Sequence, residues 1–200
     1  MTATNKNSKQ KTNCMKKFKQ FFMLAAIAMA TTTASAQMEK TVMVGGAAMY
    51  PPKNIVENAV NSKDHTTLVA AVKAAGLVAT LQSAGPFTVF APTNKAFDKL
   101  PKGTVETLLK AENLKMLQTV LTYHVVAGKL NAADLVAKIK AGGGTATVTT
   151  VAGAPLTLTL KGKKVRITDT SGGKSFVTIA DVNQSNGVIH VVNAVLVPKS

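Results

Sequence analysis

Three histidines are the side chains best suited to chemistry near neutral pH in this 200-residue chain: His65, His124 and His190. An imidazole can serve as general base, proton shuttle or metal ligand. A metal site built on one helix or strand would show as H-x-x-x-H or H-x-H, and neither spacing occurs. His65 falls in the first turn of a predicted helix and is expected at the surface. His124 and His190 fall in valine-rich stretches read as strands. A half-buried ring there needs a partner, so each is expected to hold a backbone carbonyl. Serines Ser62, Ser83, Ser171, Ser175, Ser185 and Ser200 include none in a G-x-S-x-G elbow. The acids Glu57, Asp64, Asp98, Glu106, Glu112, Asp134, Asp169 and Asp181 fall mostly at helix starts and turns, with no spacing that marks an acid–base pair. "SGGKSF" resembles the end of a phosphate loop. The pattern would need glycine where Thr168 stands, and the segment joins two predicted strands, so it reads as a hairpin turn. No catalytic constellation emerges, and the chain is expected to be neither an enzyme nor a holder of a metal or cofactor.

Charge offers a second kind of chemistry. "KGKKVRI" gathers Lys161, Lys163, Lys164 and Arg166 around one tight turn. With Val165 and Ile167 facing inward, strand alternation turns Lys164 and Arg166 outward together. Such a cluster can grip a polyanion, or it can guard a sheet edge against aggregation.

The first 36 residues read as an export signal. Lys6, Lys9, Lys11, Lys16, Lys17 and Lys19 form a basic leader without an acid, followed by an apolar run of about ten residues and the A-x-A site Ala34-Ser35-Ala36. Cleavage is expected after Ala36, with Met15 a candidate start. It would remove Cys14, the only cysteine, and with it disulfide and thiolate chemistry. The remainder keeps 18 basic and nine acidic residues, a net charge of +9 out of the original +15. Arg166 is the lone arginine and there is no tryptophan. Single-stranded nucleic acid is read with stacking rings beside the charge, so nucleic acid is not the expected partner. A cell-surface or matrix protein or an anionic polysaccharide is. No transmembrane segment is expected, and the protein is expected to be secreted or periplasmic.

The elements that must position these residues change type along the chain. Residues 37–51, with Gly45-Gly46 and Pro51-Pro52, read as a loosely held arm ahead of a domain over 52–198. "NIVENAVNS" has helical spacing. Asp64 is expected to cap a helix carrying Leu68, Val69 and Val72 and closed by Gly76. Thr104 and Asn113 are expected to cap two more helices, and "NAADLVAKIK" is amphipathic. Beyond Gly142-Gly143-Gly144 the period becomes that of short strands separated by glycine turns. Helices crowd the first half and strands the second, which predicts an α+β fold with an antiparallel sheet system and a helical layer. Within "GPFTVFAPTNKAF" a strand meets a helix almost without a loop, where Thr93 and Asn94 are capping types.

Three stretches carry a family resemblance: "FTVFAPTNKAF", "LTYHVVAGKL" and "GVIHVVNAVLVP", in this order and at matching spacing. Together they resemble the fasciclin (FAS1) domain over about residues 52–198. The resemblance implies a β-sandwich or wedge of about seven strands with a helical layer from the N-terminal half, in which the first and third stretches are adjacent central strands. Phe90, Pro92, Thr93, Asn94, Phe97, His190 and Asn193 then belong to the structural motifs, with Asn193 standing where the family often has aspartate. It also implies an exported, non-catalytic adhesion module. Tyr123, His124, Val125 and Val126 correspond to the region linked in animal members to integrin recognition. A different reading is a carrier of a small apolar ligand in a groove between the helices and the sheet.

Overall fold

The computed structural model describes residues 41–199; the leader expected over 1–36, with Cys14 and Met15, lies outside the described residues. The central strand β3 (Phe87–Pro92) runs parallel to β9 (Gly187–Val192), with Phe87 opposite Gly187 and Phe90 opposite His190. Both strands are buried along nearly their whole length, β9 at every residue. Their unbroken apolar runs reflect this, because a strand covered on two faces has no solvent side to alternate toward. Around the pair lie β4 (Val125–Ala127), β5 (Thr145–Thr149), β6 (Pro155–Lys161), β7 (Lys164–Thr168) and β8 (Lys174–Gln184), in the order β4-β3-β9-β8-β7-β6-β5. The expected seven strands and α+β class are therefore present. The sheet is antiparallel except at β3–β9, a parallel pair that the segregated order of elements does not reveal.

The two faces of the central pair feed two cores. Val89, Ala91, Ile189 and Val191 point into the first, with Val182 of β8, and helices cover it: α1 (Ile55–Ala59), α2 (Thr66–Ala74) and α6 (Leu114–Tyr123), with α3 (Val78–Gln82) packed alongside. Phe90 and Val192 point into the second, where Leu135 and Ile139 of α7 (Ala132–Ala141) meet Leu156, Leu158 and Ile167. Short helices α4 (Asn94–Phe97) and α5 (Thr104–Leu108) connect β3 to α6.

Local signals set several boundaries. Asn54 and Glu57 form a reciprocal capping box at the start of α1, at 2.9 Å in each direction. Gly76, at φ +69°, ends α2, and the Leu77 N–H reaches back to the Val72 carbonyl at 3.1 Å. Asp64 does not cap α2: Ser62 precedes a single 3-10 turn, Lys63–His65, that leads into the helix. At α5 the cap position is Gly103, with Thr104 already helical. The segment read as an arm is a hairpin instead, β1 (Val42–Val44) paired with β2 (Ala47–Met49), and Val44 and Met49 are buried in the first core. Strands of three residues are too short for alternation to show.

Gly187 of β9 lies directly against Phe87 of β3. A Cβ there would overlap the Phe87 carbonyl oxygen, so only glycine fits without shifting the parallel pair. Gly187→Ala is expected to destabilise the fold by about 1–3 kcal/mol through overpacking. Thermal unfolding followed by circular dichroism should show a loss of several degrees in Tm; an unchanged Tm would show that the strands part without cost.

Candidate functional site

The Tyr-His segment is a junction rather than a surface. α6 ends at Tyr123, His124 is its C-cap, and β4 begins at Val125, so His124 closes a helix and does not lie in the strand expected for it. The Tyr123 hydroxyl donates to the Pro155 carbonyl at 2.9 Å and accepts from the Thr170 N–H at 3.1 Å. His124 Nδ1 donates to the Val120 carbonyl at 2.7 Å while Nε2 accepts from the Leu196 N–H at 2.9 Å. Both nitrogens are thus used by the neutral ring. Burial pushes the His124 pKa down to about 4, against smaller upward pulls from the Val120 carbonyl and the Asp169 carboxylate. Tyr123, His124, Val125 and Val126, the residues that the resemblance links to partner recognition, are all buried. The rings and methyls that make the motif recognisable are spent inside.

The two other histidines do similar work. His190 stacks on Phe90, with ring centroids 5.8 Å apart. Its Nε2 donates to the Leu130 carbonyl at 2.8 Å, and Nδ1 accepts from the Asp181 N–H at 3.4 Å. Asp181 sits at a bulge in β8 with φ +56°, and its carboxylate accepts the Ala132 N–H at the start of α7 at 2.6 Å. His65, expected at the surface, is 3 % exposed and pairs through Nδ1 with the Ser62 hydroxyl at 2.9 Å. Burial lowers the pKa of both rings, opposed by backbone carbonyls and by the nearby Asp64 or Asp181.

The strand-to-helix corner holds neighbours together. Thr93 occupies the N-cap position of α4 but its side chain makes no cap bond. Asn94 serves a different helix: Oδ1 accepts the Thr67 N–H of α2 at 3.1 Å, and Nδ2 donates to the Lys63 carbonyl and the Thr66 hydroxyl at 2.9 Å each. Pro92 ends β3 opposite Val192, and Phe97 packs half-buried against the first core. Asn193 accepts the Phe176 N–H at 2.9 Å, a bond its neutral amide makes as readily as an aspartate would.

The cationic cluster alone is displayed outward. Lys161 and Lys164 face each other across the β6–β7 hairpin, joined by Gly162-Lys163. The three lysines are exposed, and Arg166 is half-buried with Nε donating to the Thr159 hydroxyl at 3.0 Å. Val165 and Ile167 point inward, as the alternation predicted. Lys110 pairs with Glu112 at 3.9 Å, and none of Lys161, Lys163, Lys164 and Arg166 forms an ion pair among the described residues. Also among the described residues, no cluster of three or more His, Cys, Asp or Glu side chains is placed to hold a metal ion.

Comparison with known proteins adds a family assignment. The Fasciclin domain model matches residues 63–198. Protein sll1483 of Synechocystis is 48 % identical over 170 residues, covering 84 % of this chain and 87 % of its own length. Immunogenic protein MPB70 of Mycobacterium bovis is 36 % identical over 143 residues, covering 69 % of this chain and 65 % of its own. Transforming growth factor-beta-induced protein ig-h3 of Sus scrofa is 34 % identical over 151 residues, 75 % of this chain and 20 % of that protein. A FAS1 domain pair from the insect cell adhesion molecule fasciclin I shares the fold with a TM-score of 0.65 at 20 % identity, over 73 % of this chain and 51 % of that one.

The buried imidazoles make stability depend on pH in a defined direction. His124 binds a proton in the unfolded chain below about 6.5 but in the fold only near 4. The unfolded state is therefore the stronger proton binder between those values. His124's contribution is complete above that window, falls as pH drops through it, and is constant below, a loss of roughly 3 kcal/mol. Urea midpoints measured across the window should fall, and should fall less steeply in His124→Gln. Equal slopes in the two proteins would contradict the assignment.

Proposed function

The chain belongs to the fasciclin domain family, and from that premise we propose that it is an exported, non-catalytic adhesion module that attaches to an anionic polysaccharide of a cell surface or matrix through the β6–β7 hairpin. The relatives point to an extracellular, adhesion-type setting: one matched structure is that of an insect cell adhesion molecule, and another relative is named a cell surface glycolipoprotein. Among the described residues no helix is long and apolar enough to cross a membrane.

The observation that carries the reading is the uncompensated charge of Lys161, Lys163, Lys164 and Arg166 on a hairpin anchored by buried Val165 and Ile167. A rigid strand pair presents the charges without the ordering cost of a flexible tail. Lysines suit a polyanion of repeated charges, where point charges suffice and no bidentate geometry is required. The burial of Tyr123 through Val126 turns the reading away from a protein partner gripped by those side chains. One fasciclin domain provides one such contact, so firm adhesion would require several copies of the ligand or of the protein.

Retention of the full chain on an immobilised anionic polysaccharide, with a neutral one beside it, tests this across a salt series. Binding to the anionic matrix should weaken as salt rises. The triple variant Lys163→Ala, Lys164→Ala, Arg166→Ala should lose roughly tenfold in affinity, about 1.4 kcal/mol. Binding that survives both changes would place the site elsewhere, and absence of binding at low salt would overturn the polyanion reading.

A further inference from the structure

The first core is not filled. Between α1, α2 and α3 and the strands β3, β8 and β9 runs a space of about 740 Å³, part of it open to solvent. Little of it is wide enough for the centre of a water-sized sphere, so it is a slot and not a bowl. Val89, Ala91, Val182 and Ile189 line it from the strands, and half-buried Val56 and Val69 line it from the helices. A second apolar space of about 320 Å³ lies beside it, with Leu81, Leu121 and Val125 as shared walls and Phe87 also in its lining.

The wall is almost wholly hydrocarbon, and its charge is asymmetric. Lys73, in the last turn of α2, is the one lysine, arginine or acid lining the slot; it is exposed and makes no ion pair among the described residues. His124 uses both ring nitrogens in bonds to the backbone, and His65 pairs through Nδ1 with the Ser62 hydroxyl. Moving each methylene of an alkyl chain from water to such a wall is favourable. A chain with a carboxylate end matches one cation at the rim, where the ion pair keeps its water and avoids the cost of burial.

We propose that this slot binds a single-chain fatty acid, with the alkyl tail between the helices and the sheet and the carboxylate at Lys73. This goes beyond the adhesion reading and does not depend on it, because the slot and the β6–β7 hairpin share no residue.

The test uses the full chain, freed of co-purified lipid by organic extraction. A fluorescent conjugated polyene fatty acid is titrated in and displaced by palmitate or by hexadecanol, which has the same chain and no charge. Saturable binding of one probe per protein is expected, with palmitate displacing it better than hexadecanol. Lys73→Glu should weaken palmitate roughly tenfold and leave hexadecanol unchanged, which a merely structural role for Lys73 would not do. Val69→Trp, in the half-buried part of the lining, should abolish binding of both while the thermal melt stays that of the parent; Val56→Phe serves the same purpose where the tryptophan disturbs folding. No saturable binding would overturn the proposal. So would a folded, slot-filled variant that binds like the parent, or equal binding of palmitate by the parent and Lys73→Glu.

Discussion

The parallel pairing of β3 with β9 is the constraint from which the remaining structure hangs. It joins residues about a hundred positions apart, Phe90 to His190 among them, and it can be closed only because Gly187 lets the two backbones approach. With both faces of the pair covered, Val89, Ala91, Ile189 and Val191 serve one core and Phe90 and Val192 the other. The helices of the first half pack on one face, and α7 with the β5–β8 strands packs on the other. The family's recognisable stretches lie at this pair and at β4 beside it.

Polar groups inside such a pair need partners, and the fold meets that need with histidines held neutral. Two of the rings join pieces of chain that are distant in sequence: His124 ties α6 to the C-terminal segment at Leu196, and His190 ties β9 to Leu130 and the β8 bulge. A neutral imidazole donates at one nitrogen and accepts at the other, which a hydroxyl can also do but over a shorter reach. Asn186 plays the same part with its amide, accepting from Ile55 and donating to the Leu81 and Ser83 carbonyls. The residues that look most like catalysts are therefore employed as joints.

Function is left to what this frame holds outward or leaves unfilled. The hairpin of β6 and β7 holds its cations away from the sheet. The helices α1, α2 and α3 are short, five to nine residues, and span the sheet without covering it completely, which is how a slot arises in an otherwise continuous core. Charge on one feature and hydrocarbon on the other suit different ligands, and neither competes with the central pair for residues.

Much of this was legible in the chain before any coordinates. The switch to strand period after Gly142-Gly143-Gly144, the outward turn of Lys164 and Arg166, the helix end at Gly76 and the hairpin reading of "SGGKSF" all depend on neighbours within a few residues, where side-chain type and spacing act directly. Partnership at a distance was not legible. Nothing near Asn94 says that its amide caps α2 and not its own helix. His65 is flanked by Asp64 and Thr66, both exposed, yet it is itself buried, beside Ala91 of β3. The strands of the β1–β2 hairpin are too short to show a period and acquire their place by burying Val44 and Met49 in a core assembled by others. Lys73 reads as one more solvated cation until the fold sets it at the rim of an apolar slot. Local conformation is decided by forces that reach one turn of helix or one strand pair, and those are written in order along the chain; burial, register and pairing are decided by which surfaces meet, and that exists only once the chain has folded.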